Sequence, residues 1–93
     1  MLAVDVRDEV FARIQRLLAD PSLQTTDDLP LLGSGALTSM KLVELCLSLE
    51  DLARDGGFEF DWTSEAAMSK ARSMFRSAGS LADEFIAQMD ARG

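Results

Sequence analysis

The chain has no histidine and no tyrosine, one cysteine, one tryptophan and two prolines in 93 residues. Without histidine, the commonest general base near neutral pH and the commonest metal-ligating ring are both missing, so no Ser-His-Asp or Cys-His arrangement can be assembled. The lone cysteine, Cys46, excludes an intramolecular disulfide framework, and with no histidine beside it ordinary zinc sites are excluded as well. No apolar run comes near the roughly 20 residues of a bilayer span. The first residues lack the basic segment and apolar run of a secretory signal. Basic side chains are also scarce: nine against sixteen acids give a net charge of −7, which repels phosphate backbones and anionic membrane surfaces. The expectation is one acidic, cytoplasmic, monomeric domain over residues 1–93, with no nucleic-acid, membrane or metal partner, meeting proteins that offer a basic patch.

What is present is apolar. At 47% apolar residues a chain of this length can enclose one core. Val6, Val10, Ile14, Leu17 and Leu18 recur at helical spacing and predict a first helix from about Val4 to Asp20, stopped by Pro21. Residues 21–38 follow with two prolines, two glycines and no sustained period, a loop long enough to be functional. Leu29, Leu31, Leu32 and Leu37 are expected to fold that loop back over the core.

Leu42, Leu45, Cys46, Leu49 and Leu52 make one stripe of a second helix from Ser39 to Asp55, ended by Gly56 and Gly57. Phe58, Phe60 and Trp62 alternate with acids in a short extended connector, their rings directed inward. Thr63 or Ser64 caps a third helix through about Phe75, with Glu65 at its positive end. The "SAGS" of residues 77–80 is then read as a break, and Ser80 with Asp83 as a capping-box start for a last helix buried through Leu81, Phe85, Ile86 and Met89. The predicted fold is all-α: a small four-helix bundle with a long loop between helices one and two and a short or irregular third helix.

Catalytic apparatus is hard to find in this pattern. Cys46 falls on the buried stripe, where a thiol is a small core residue with a raised pKa. The glycines of "GSG" at 33–35 follow no strand and lack a P-loop lysine. Asp51, Asp55, Glu59 and Asp61 do not match a calcium loop and read as a solvated acidic face, in a segment that predicts no pocket. No residue is assigned a catalytic role, and the chain is read as a non-enzyme.

One stretch carries more. Ser39 opens the second helix, and Thr38 or Ser39 is a competent N-cap. Around them, in "LLGSGALTSMKLVEL", Leu31, Gly35, Leu37, Ser39, Met40, Val43, Glu44 and Leu45 fall without a gap on a pattern of leucine, glycine, leucine, serine-methionine and Val-Glu-Leu. In this the chain resembles the carrier-protein family: acyl, peptidyl and D-alanyl carriers that hold a covalent 4′-phosphopantetheine. The long loop, the helix order and "SAGSLADEF" extend the resemblance over most of the chain.

The resemblance implies that Ser39 is the attachment site, modified by a phosphopantetheinyl transferase that supplies the catalytic groups and the metal. The thiol for thioester chemistry is then imported, and the cofactor is that covalent arm. Implied partners are the transferase, an acyl- or amino-acid-activating ligase, for an aminoacyl load one like an aminoacyl-tRNA synthetase, and a downstream acyltransferase or synthase. Thr38, Met40, Lys41, Val43 and Glu44 are the implied docking residues, with Met40 and Val43 partly exposed. The loop is closer in flavour to aminoacyl carriers, and the single domain implies a stand-alone carrier. Ala66, Ala67, Met68 and Met74 are available for an apolar groove next to the second helix, or for ordinary core. Two positions depart from the family: Thr38 replaces its usual aspartate, and Lys41 adds a positive charge two residues after the serine. The alternative is an unmodified helical interaction domain whose exposed Met40 and Val43 bind a partner helix.

Overall fold

A computed structural model describes residues 3–18, 22, 24–31 and 37–91. Four helices follow in order: α1 (Ala3–Leu17), α2 (Ser39–Asp55), α3 (Glu65–Met74) and α4 (Ala78–Ala91), with no strand among the described residues. The all-α four-helix bundle is therefore the fold observed. Its radius of gyration, 12.3 Å, matches the roughly 12 Å expected of a compact chain this long. No helix among the described residues is long and apolar enough to cross a membrane.

Helix α1 packs against both α2 and α4, and α3 packs against α4. Val6, Val10 and Ile14 recur every four residues and are completely buried, forming the seam of α1. The helix ends at Leu17, three residues short of the expected limit. Leu18 donates its N–H to the Gln15 carbonyl at 3.3 Å, a tighter closing turn. Pro21, Gly35 and Leu32 lie outside the described residues. Leu31 and Leu37 are buried, and Leu29 packs partly against the core, as expected of a loop folded back.

Helix α2 has the predicted bounds. It stops where Gly57 takes φ 82°, a conformation open to glycine at little cost. The Phe58 N–H donates to the Ala53 carbonyl at 3.0 Å and the Gly57 N–H to the Arg54 carbonyl at 3.1 Å, the paired bonds of a Schellman cap. This cap aims Phe58 inward, where it meets Phe85 edge-on at 5.2 Å, and Phe60 packs against the same ring at 5.2 Å, tilted by 44°. Trp62 is only partly buried, because its Nε1 donates to Glu50 Oε2 at 2.6 Å and holds the indole toward the rim.

The third helix is regular. Ser64 caps it by accepting from the Ala67 N–H at 3.1 Å, and Glu65 sits in its first turn. The expected start of α4 is corrected: "SAGS" opens the helix rather than breaking one. Ser77 Oγ accepts from the Ser80 N–H at 3.2 Å while Ser80 Oγ accepts from the Ser77 N–H at 3.0 Å, a reciprocal capping box with Ser80 at its third residue. Asp83 does not serve the box; its carboxylate accepts from Arg7 at 2.8 Å. The next two orphan donors of α4 are met by the loop, Ala78 N–H by the Leu29 carbonyl at 2.8 Å and Gly79 N–H by the Asp27 carbonyl at 3.0 Å.

Candidate functional site

Helix α2 is anchored by Leu45, Cys46, Leu49, Leu52 and Ala53, all buried. At about 100° per residue these cover one arc, and Met40, Val43, Glu44 and Leu47 cover the opposite one. At its start, Thr38 is extended (φ −74°, ψ 168°) and its Oγ1 accepts from the Lys41 N–H at 3.2 Å. Thr38 is thus the cap, and its carbonyl takes the first helical bond from Leu42 at 2.9 Å. Ser39 is the first helical residue and exposed. Its hydroxyl has no hydrogen-bond partner among the described residues.

The first turn of α2 contains no acid. Lys41 stands there instead, its Nζ 3.9 Å from Glu44 Oε2. A cation near a helix N-terminus is unfavourable with respect to the helix dipole, and Glu44 offsets part of that. The local field at Ser39 therefore favours an anion. Beside it Met40 is 77% exposed, Val43 46% and Leu47 50%, an apolar stripe that solvent covers. Leu47 was not among the residues singled out from the sequence, although its position opposite Leu45 and Leu49 on the helical wheel is the signal that exposes it.

The remaining groups are committed elsewhere. Cys46 is 1% exposed, and burial, with Glu50 adding a smaller electrostatic push, drives its thiol up to about 12. Glu59 and Asp61, expected away from any pocket, border an open depression of about 480 Å3 with Glu50 and Arg54. Two of its three acids are spent on local structure. Glu50 holds Trp62. Both carboxylate oxygens of Asp61 accept from Ser64, its Oγ at 2.5 Å and its N–H at 3.1 Å, and these bonds hold Asp61 below the usual carboxylate range.

No group of three or more metal-ligating side chains occurs among the described residues. Of the four residues available for a groove beside α2 or for ordinary core, two are in the core. Ala67 and Met74 are buried, Ala66 and Met68 are exposed, and Met74 lines a crevice shared with α4. Comparison with protein-family models, with curated proteins and with solved structures gives no match.

Proposed function

We propose that the chain is a carrier protein that holds an acyl or aminoacyl group as a thioester on a 4′-phosphopantetheine arm at Ser39 and passes it between enzymes. The observation that carries the reading is the division of labour at the start of α2: Thr38 caps the helix, which leaves the Ser39 hydroxyl exposed and, among the described residues, without a hydrogen-bond partner. A serine needed only for capping would have its oxygen occupied by a backbone N–H. Anchoring of the same helix by the core also fits a site that must be reached by an enzyme without being displaced.

The two departures from the carrier pattern are compatible with this chemistry. A phosphodiester on Ser39 would meet the positive end of a 17-residue helix, the Lys41 amine and no first-turn carboxylate. In the transfer step the Ser39 oxygen attacks the β-phosphorus of coenzyme A, the phosphoanhydride bond breaks, and 3′,5′-adenosine bisphosphate leaves. The hydroxyl proton passes to a base on the transferase. Loading would then proceed on the arm's thiol, since Cys46 is buried and holds its proton.

Intact-mass analysis after incubation with coenzyme A and a broad-specificity transferase tests the reading. One phosphopantetheinyl mass on the wild type and none on Ser39→Ala is expected. No addition to the wild type would favour an unmodified interaction domain, for which the exposed Met40, Val43 and Leu47 are the specific support.

A further inference from the structure

Of the ten residues of α3 only Ala67 and Met74 are buried. At about 100° per residue, Glu65, Met68 and Arg72 fall on one ridge turned away from those two. All three are exposed, Met68 at 62%. Glu65 and Arg72 enter no ion pair among the described residues, and they cannot pair with each other, because seven residues of helix put them about 10.5 Å apart. Asp61 before the helix and Arg76 after it are exposed as well, and Arg76 is equally without an ion pair among the described residues. They stand four residues outside Glu65 and Arg72, so the order along the segment is acid, acid, methionine, base, base. Reversed in direction, that order meets its own complement.

We infer that the chain associates with a second copy of itself through α3, the two helices antiparallel about a two-fold axis beside Met68. Such an axis sets Glu65 against Arg72 and Asp61 against Arg76 of the other copy, each contact made twice, as an isologous interface requires. Met68 meets its own counterpart, and the two helix dipoles oppose. Ser69 and Ala66 flank the ridge with little bulk, and the Ser69 hydroxyl already donates to the Ala66 carbonyl at 2.8 Å, so close approach strands no hydroxyl proton. The symmetry is what singles out a second copy, since a partner of another sequence would not need a surface that complements itself. This departs from the monomer expected from the sequence, and it does not depend on the carrier reading of Ser39. A helix about 15 Å long covers well under the roughly 800 Å2 per partner of a stable interface. The pair is therefore weak, with a Kd on the order of 0.1–1 mM. Two copies of charge −7 repel, but at about 0.15 M salt the Debye length of about 8 Å screens that distant repulsion more than the pairs in contact.

Sedimentation equilibrium of the full chain over about 0.02–2 mM, a range that brackets this constant, tests the inference at about 0.15 M salt. The wild type is expected to pass from monomer to dimer. Arg72→Glu sets acid against acid and is expected to weaken association at least about tenfold. The double variant Glu65→Arg, Arg72→Glu keeps the net charge, makes the ridge complementary to itself again and should recover most of the association. Met68→Ser, on an exposed position, is expected to weaken it severalfold with unchanged circular dichroism. A wild type that stays monomeric throughout overturns the inference, as does a dimer that both Arg72→Glu and Met68→Ser leave intact. A double variant that keeps its helix and stays monomeric overturns the antiparallel pairing. The double variant opposes the dipole at both ends of α3, so its circular dichroism is read first. If helix is lost, Met68→Ser decides: weaker association upholds the inference and unchanged association overturns it.

Discussion

Cys46 sits on the inward arc of α2 with Leu45 and Leu49 as neighbours, and its surroundings decide its chemistry. Desolvation disfavours the thiolate, the nearby Glu50 charge adds to that, and the pKa is pushed up to about 12. The unfolded thiol ionises near 8.5, so the folded state holds the proton over a window in which the unfolded state has released it. Stability tied to this group is therefore fully present below about pH 8.5 and is lost as pH rises from there toward the folded value. Native protein is expected to resist iodoacetamide at pH 8 on a timescale that fully labels the urea-unfolded chain. Cys46→Ala should shallow the alkaline fall of the urea midpoint, at the cost of a small cavity. Native labelling at the unfolded rate would show the thiol to be accessible.

At the scale of elements, α2 was legible because every signal in it is local. Its core stripe, its threonine cap and its two terminal glycines all lie within the segment they define, and the predicted bounds coincide with the observed ones. The start of α4 was not legible for the opposite reason. Ser77 and Ser80 are both capping residues, and the choice between them is made by distant backbone, the Asp27 and Leu29 carbonyls that meet the first donors of the helix.

Gly79 explains the misreading: it resembles a breaker, yet it is a close-approach glycine, buried against Asp27, where a Cβ would stand 2.9 Å from the Asp27 carbonyl oxygen and 3.1 Å from the Asp27 Cα. At the candidate site the same division holds. The exposure of Ser39 follows from its place before the stripe. Which of two adjacent hydroxyls caps the helix depends on backbone angles that the residue types leave open.

Gly79→Ala puts a number on that close approach. Alanine favours helix by up to about 1 kcal/mol, and the benefit is smallest in a first turn. Crowding rigid backbone costs about 1–3 kcal/mol, so the clash prevails and a net loss of about 1–2 kcal/mol is expected. The loss should appear as a lower urea midpoint with unchanged slope. A stabilised variant would mean that the loop yields readily at Asp27.

Across the whole molecule the excess of acid sets how salt acts. A net charge of −7 confined within a radius of gyration of 12.3 Å repels itself, and unfolding relieves that repulsion. Arg7 opposes it where three elements meet. From α1 it pairs with Asp27 in the loop and with Asp83 in the second turn of α4, and its guanidinium lies 5.4 Å from the Phe11 ring centroid. The bonds to Asp83 and then Asp27 raise its pKa, so it stays charged at any working pH.

Both carboxylates are mostly exposed, at 64% and 71%, which limits the two pairs together to about 1 kcal/mol. Arg7→Met keeps most of the packing over Phe11 and removes the charge, and it is expected to cost about that amount in dilute buffer. Salt then acts on two terms of opposite sign. It weakens the Arg7 pairs by a fraction of a kcal/mol, and it screens the repulsion among all the unbalanced acids once the Debye length falls to about 10 Å near 0.1 M. Because the second term involves the whole surface and the first a single residue, the wild-type melting temperature should rise with salt while the gap to Arg7→Met narrows. A wild type that melts lower in salt would mean that the ion pairs outweigh the repulsion among the unbalanced acids.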